Sequence, residues 1–339
     1  MYSIKKRGET HERQEFSISR GFLVMRWNPN GDDKLAKADD YPFEDMKESY
    51  AKSDYSWSPD MEDKILRVTK SSNGTFDWCP KQYFFQYIMK LKQEEKDYHI
   101  RGNNVHDMTE YFWKEAVNYI DDILEQIESG NMNMARQMLH DIIPKPPSPY
   151  LYGEDEQIQT WVDWQFDRLV ATKGIDWFPV GNEAEVHATR IVEVDGTPVP
   201  IHMRGFIDRI FEDDKGYILM ELKTGKWKKG KTATKLRAEM QFYKMMLECS
   251  QHGEYLPITH WGWEFPGGNI NNGDAAAWEF ESTSDRKAKY AERTVEKRLK
   301  KLVKAHLDMD FPAERNDFKC AWCDFMHICP AWTQQELEL

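Results

Sequence analysis

Gly205-Phe206-Ile207-Asp208-Arg209-Ile210, then Phe211-Glu212-Asp213-Asp214-Lys215-Gly216, then Tyr217-Ile218-Leu219-Met220-Glu221-Leu222-Lys223-Thr224-Gly225 read as one β-hairpin. Both flanks are rich in β-branched and aromatic residues, and the Asp-Asp-Lys-Gly run between them is turn chemistry. A two-residue turn centred on Asp214-Lys215 sets Asp208 directly opposite Glu221. Strand side chains alternate, so Asp208, Glu221 and Lys223 share one face, while Ile207, Ile218, Met220 and Leu222 share the other and suit a core. Two carboxylates facing each other across a strand pair repel unless a cation lies between them. The hairpin therefore reads as a divalent-metal site with a lysine beside it, the equipment that phosphodiester hydrolysis needs.

The surrounding chain has 339 residues, enough for a large core, and 40% hydrophobic content, ordinary for a soluble protein. No apolar run is long enough to span a bilayer, and the basic start, Met1 to Arg7, is not followed by the apolar stretch of a signal peptide. These features exclude a membrane-spanning helix and place the chain in the cytoplasm, with no membrane partner. The net charge of −12 argues against a general nucleic-acid binder, but the charge is segregated. Acidic residues dominate from Asp32 to Asp63, whereas Lys223 to Arg237 holds seven basic residues and no acidic one. Lys226, Lys228, Lys229, Lys231, Lys235 and Arg237, immediately after Glu221, are candidate phosphate contacts. A second basic stretch, Arg286 to Lys304, reads equally well as a solvated helix face.

Periodicity divides the chain into an acidic, partly ordered extension over residues 1–70, with a short helix over 44–53, a main domain over 71–331, and a tail over 332–339. Within the main domain a helical part covers 71–175, a sheet core 180–308 and a cysteine-bearing tail 311–331. Helices are expected after Pro80 and over 104–127, 132–142, 157–172, 235–249 and 285–306. The run Pro144 to Pro149 is a breaker. Strands are expected over 183–194, 199–211, 217–223, 259–264 and 276–281. This order implies an α/β (α+β) fold, a mixed sheet covered by helices.

Other residues gain meaning from the hairpin. His106 is a lone helical histidine, of interest because a two-carboxylate site lacks a third ligand. Period two puts Glu183, Glu185 and His187 on one face of the preceding strand, and of these Glu185 is the accessory candidate; His187 and His202 read as structural. Glu239 and Tyr243 are four apart and share a helix face. Cys320, Cys323 and Cys329 form a C-x2-C-x5-C group, and Cys79 offers a fourth thiolate. Four thiolates suit zinc or an iron–sulfur cluster, and would tie the first helix of the domain to its tail. Cys249, on an amphipathic helix, reads as packing.

Over residues 71–331 these pieces resemble a RecB-type nuclease of the PD-(D/E)XK superfamily, in the iron–sulfur branch of CRISPR-associated RecB-like exonucleases and AddB-type nuclease domains. The likeness rests on His106, Gly205-Phe206-Ile207-Asp208, Glu221-Leu222-Lys223, a helix with a polar residue four before Tyr243, and Cys79 and the Cys320, Cys323, Cys329 tail in order. Glu239 stands where the family usually has glutamine. The resemblance implies a restriction-endonuclease-like fold. It implies His106, Asp208, Glu221 and the Leu222 carbonyl as ligands of Mg²⁺ or Mn²⁺, and Lys223 as the group that orients or activates water. It further implies a [4Fe–4S] cluster on the four cysteines, with zinc as the alternative. The expected activity is metal-dependent hydrolysis of DNA, most simply single-stranded and from an end, in recombination, repair, CRISPR adaptation or viral DNA processing. A helicase, integrase or recombination protein is the expected partner. The alternative is a DNA-binding or scaffold subunit whose nuclease site is dispensable.

Overall fold

The hairpin forms in the expected register. Asp213 pairs with Gly216, Glu212 with Tyr217, Phe211 with Ile218, Ile210 with Leu219 and Arg209 with Met220, where the ladder ends, one step short of the expected Asp208–Glu221 pair. Asp213 Oδ1 accepts from the backbone N–H groups of Lys215 and Gly216, both at 2.9 Å, which closes the turn. Gly216 has φ 150° and its missing Cβ would lie 2.0 Å from the Pro257 carbonyl oxygen, so only glycine fits.

This computed structural model describes residues 66–91, 93, 96–143, 154–174, 176–225, 231–249, 257–266, 277–313 and 315–332, without the side chains of 231, 232, 249 and 277–279. The expected helix over 44–53, the Pro144 to Pro149 breaker, Lys226, Lys228, Lys229 and the side chains of Lys231 and Cys249 lie outside them. The strands are β1 (Leu66–Thr69), β2 (Gly181–Val194), β3 (Thr197–Asp213), β4 (Gly216–Leu222), β5 (Ile258–Phe265) and β6 (Ala277–Ser282). The longer helices are α1 (Lys70–Trp78), α3 (Asp97–Glu128), α4 (Met132–Ile142), α5 (Glu154–Thr172), α6 (Lys231–Cys249) and α7 (Arg286–Leu307). The short α2 (Pro80–Tyr83) runs on into a π-helical turn, and α8 (Asp317–Cys320) lies in the tail. The sheet is mixed: β1 runs parallel to β3 and β4 to β5, and the other pairs are antiparallel. One core lies between the sheet and α1, α6 and α7. The other lies between the sheet and α3, α4 and α5. The expected α/β class, a mixed sheet flanked by helices, is therefore the observed one. No helix among the described residues is long and apolar enough to cross a membrane.

Three differences from the sequence reading have physical causes. Leu66–Thr69, assigned to the extension, is a strand; four residues are too few to display a period. Helix α3 begins at Asp97 rather than near 104, because a helix already nucleated runs through Gly102 at a cost of only about 1 kcal/mol. Ile207 packs in the first core while Met220 and Leu222 pack in the second, so strict alternation fails between them. The cause is Glu183, with φ 49°: Asn182 pairs with Arg209 and Ala184 with Ile207, but the rung between Glu183 and Asp208 is missing.

Strand β3 is also where the sheet forks. Strand β2 follows one of its edges almost throughout, so β1, pairing at Ile201 to Arg204, and β4, pairing at Arg209 to Asp213, share the other. The unpaired interval between them holds Gly205 and Asp208. Here β1 ends and α1 begins, fixed by a capping box in which Thr69 Oγ1 accepts from Ser72 N and Ser72 Oγ accepts from Thr69 N.

Candidate active site

The fork gathers one residue from each of several elements. Asp208 of β3 is buried, and its Oδ2 accepts from the Leu222 backbone N–H at 2.6 Å, which brings the Leu222 peptide against the carboxylate. His106 of α3 places Nδ1 3.7 Å from Asp208 Oδ2 and 3.8 Å from Glu183 Oε1. One ligand atom each from His106, Glu183 and Asp208 fits within 4.8 Å, a grouping able to hold a metal ion. Beside it, buried Glu221 accepts through Oε1 from both Lys223, at 2.9 Å, and Lys70. Its other oxygen, Oε2, is buried and has no hydrogen-bond partner. Lys223 also meets Glu239 Oε2 at 2.9 Å, and the Lys70 ammonium stands 5.0 Å from the centre of the Tyr243 ring.

The charges hold each other in unusual states. Burial, and then the nearby Glu221 carboxylate, push Asp208 up to about 6. Burial would raise Glu221 too, but the Lys223 and Lys70 ammonium groups outweigh it and bring Glu221 to about 2. Burial works against both lysines, yet Glu221 and its acidic neighbours hold them above the ordinary lysine value, so both remain charged. His106 is likewise raised, because Asp208 and Glu183 outweigh its desolvation.

Asp208 of β3, Glu221 and Lys223 at the end of β4, His106 of α3, and Glu239 and Tyr243 of α6 thus converge. Glu185 does not join them. It sits two rungs further along β2 than Glu183, where its Oε1 accepts from Arg204 Nε at 2.8 Å and meets His187 Nε2 at 2.9 Å; His187 in turn bonds His202 at 3.0 Å. Alternation gives a face but not the height at which α3 crosses it, and α3 crosses at Glu183. Arg237 is also corrected: it forms a bidentate pair with Glu281, both contacts at 2.6 Å, and is engaged within the protein, whereas Lys235 is exposed.

The sequence reading missed Lys70 altogether and passed over Glu183. Nothing in the sequence around Lys70 marks it except a cation just before Ser71 and Ser72; the parallel pairing of β1 with β3 is what delivers it. Gly205 completes the arrangement, since a Cβ there would lie 2.8 Å from Tyr243 Cε1 and the ring is fully buried. Gly205→Ala is expected to cost about 1–3 kcal/mol by overpacking and to displace the ring under Lys70; thermal unfolding of the variant checks it.

The cysteines form a separate feature. Cys79, Cys320, Cys323 and Cys329 line one pocket together with Met326 and Trp332. Burial pushes the Cys323 thiol up and the other three cysteines add to the rise. Among the described residues no three of these sulfurs lie within 4.8 Å of one another, so they do not form a compact single-ion cluster.

Comparison with known proteins comes at this point. No curated protein matches the chain. Among solved structures, SSO0001 aligns with 14% identity and a TM-score of 0.32, over 78% of this chain and 86% of its own. A protein from Eubacterium rectale, whose designation as an exonuclease is itself provisional, aligns with 12% identity and a TM-score of 0.43, over 84% and 91%. The sequence model of the PD-(D/E)XK nuclease superfamily matches residues 67–330, a span that contains Lys70, His106, Glu183, Asp208, Glu221 and Lys223. Matched over most of its length, the chain belongs to the PD-(D/E)XK nuclease superfamily.

Proposed function

We propose that this protein is a Mg²⁺- or Mn²⁺-dependent nuclease that hydrolyses phosphodiester bonds of DNA, acting on single strands from an end. The observation that carries the reading is the meeting of His106, Glu183 and Asp208 within 4.8 Å, next to a Glu221–Lys223 pair. The donor set fits such an ion: hard carboxylate oxygens, one imidazole, and a buried Glu221 oxygen with no partner. His106, Glu183 and Asp208 would hold it, with Glu221 Oε2 beside them and the Leu222 carbonyl as the further ligand that the likeness implies. When bound, the ion supplies a Lewis acid for the phosphate and lowers the pKa of water. Lys223 and Lys70 remain ammonium groups, so each orients reactants and neutralises developing negative charge rather than taking a proton. Action on single strands and from an end follows from the likeness to the iron–sulfur branch. So does a role in end processing for recombination or repair, CRISPR adaptation or viral DNA, beside a helicase or integrase.

Cys79, Cys320, Cys323 and Cys329 are the set that would hold an iron–sulfur cluster. A single zinc ion with Zn–S bonds near 2.3 Å needs its sulfurs roughly 3.8 Å apart. A four-iron cube places each thiolate on a different iron and spreads them further. The cube is the reading that the likeness to the iron–sulfur branch supports, with the four cysteines lining one pocket.

The test is degradation of end-labelled single- and double-stranded DNA by anaerobically prepared protein, with and without Mg²⁺ or Mn²⁺, beside Glu221→Gln. Wild type should cut only with the metal, and Glu221→Gln at least about a thousandfold more slowly. DNA binding that ignores the ion, with no cutting by either protein, would move the scaffold reading ahead.

A further inference from the structure

One buried side chain touches the support of every residue in the metal-binding trio. Arg209 is 0% exposed. Its Nη1 donates to the backbone carbonyl of Asp208 at 2.7 Å and to Glu183 Oε1 at 3.3 Å. Its Nη2 donates to Thr109 Oγ1 at 2.6 Å. The Thr109 hydroxyl donates onward to the His106 carbonyl at 3.0 Å. A planar guanidinium with fixed donor directions ties three segments at fixed relative positions, which a flexible ammonium cannot do.

We propose that Arg209 is a positioning residue that holds His106, Glu183 and Asp208 in register for the divalent ion. This rests on reading those three residues as the ligand set. Stability does not explain the arginine. A buried ion pair is commonly matched or surpassed by apolar residues of similar volume, and here Nε is left buried and unpartnered. Glu183 needs such a hold. Its φ of 49° is strained for a residue with a Cβ, and the rung that would tie it to Asp208 is missing. The Arg209 contact replaces that rung and fixes the carboxylate beside His106.

Removing the guanidinium changes charge as well as position, and a lost positive charge by itself strengthens cation binding. The test therefore uses variants that keep the charge. Arg209→Lys retains the cation but loses the fork, and Thr109→Val is near-isosteric and uncharged. Mn²⁺ affinity is measured by calorimetry on the full chain without DNA, with thermal unfolding alongside. Arg209→Lys should weaken Mn²⁺ binding by about 10- to 100-fold, and Thr109→Val by about threefold or more. Cutting should return toward the wild-type rate at saturating Mn²⁺. A purely structural arginine would lower the unfolding temperature and leave the affinity of the folded protein within twofold, and that result overturns the proposal. If Arg209→Lys does not fold, Thr109→Val decides alone, by the same twofold criterion. Wild type that binds no Mn²⁺ overturns the ligand set and the clamp together. Wild type that binds Mn²⁺ but cuts no DNA overturns the nuclease reading and leaves the clamp standing.

Discussion

Asp208→Asn should abolish metal-dependent cutting and at the same time make the metal-free protein more stable. The two effects share one cause. Asp208 is 5% exposed, accepts the Leu222 N–H, and lies near Glu221, with His106 3.7 Å from its Oδ2 as the nearby group of opposite charge. Burial and the Glu221 charge raise it to about 6, above the ordinary carboxylate value. A carboxyl raised in the folded state takes up a proton that the unfolded chain does not, between the folded and unfolded values. Its contribution to stability is therefore full below about pH 4 and is lost as pH rises through about 6. At pH 7 the ionised form costs roughly 1–3 kcal/mol, part of the loss being offset by its attraction for His106. Asparagine keeps the shape, and its carbonyl oxygen accepts from Leu222, but it carries no charge. The metal-free variant should gain about 1–3 kcal/mol over wild type at pH 7 and almost nothing at pH 4, by denaturant unfolding at both values. Added Mn²⁺ should stabilise wild type and leave the variant unchanged, since the ion binds only the folded arrangement. Cutting should fall at least about a thousandfold. Equal stability of the two proteins at pH 7 would show that Asp208 is not held ionised at a cost, and a shared response to Mn²⁺ would remove it from the ligand set.

The hairpin explains why so much of this was legible. Its register depends only on a two-residue turn and on period two, both local, so the pairs from Arg209–Met220 to Asp213–Gly216, and with them the approach of Asp208 to Glu221, could be placed before any tertiary contact was known. Helix α4 was equally readable, since its ends and its apolar stripe lie within the same eleven residues. What escaped depends on distant segments. Lys70 reaches Glu221 only because β1 pairs parallel with β3, a contact across more than 130 residues of chain. Glu183 and Glu185 have the same parity and similar neighbours; only the crossing point of α3 and the left-handed backbone at Glu183 separate them. Arg209 sat inside the decisive stretch and was passed over, because alternation placed it toward a core, where a charged residue gains its role only from Thr109 and Glu183. Arg237 was misjudged for the converse reason. A basic residue in a basic run looks free until its partner, Glu281 on β6, is known.

The second large effect belongs to the tail. Cys79→Ser should lose the proposed iron–sulfur cluster, or the zinc that is its alternative, and loosen residues 315–332 while the sheet stays intact. Apart from the cysteine pocket, the described residues hold this segment mainly through polar and ring contacts at its surface. Lys319 Nζ donates to the Trp78 carbonyl at 2.6 Å, Lys96 pairs with Asp324 at 2.6 Å, and Phe85 meets Phe325 with ring centres 5.5 Å apart. Phe318 and Trp322 are 69% and 59% exposed, so the apolar burial there falls mainly to Phe325. By contrast Tyr83, His306 and Phe311 join the start of the domain to α7 in a buried cluster, with Tyr83 Oη 2.9 Å from His306 Nε2. That cluster does not depend on the cysteines, so the body should survive their loss. A group bound only by the folded tail adds its binding free energy to folding, and losing one of four thiolates should remove about 3–5 kcal/mol of it. For a domain of this size the corresponding fall in unfolding temperature is about 10 °C. Wild type prepared without oxygen should be brown and contain iron and sulfide, whereas Cys79→Ser should be colourless and be cleaved within 315–332 by a protease that spares wild type. Colourless wild type with one zinc per chain would replace the cluster by the single ion. Wild type without iron or zinc, matched by Cys79→Ser in unfolding and in protease resistance, would leave the four cysteines as ordinary packing, and the tail would then be held by its lysine bridges and the contacts of Phe318 and Phe325.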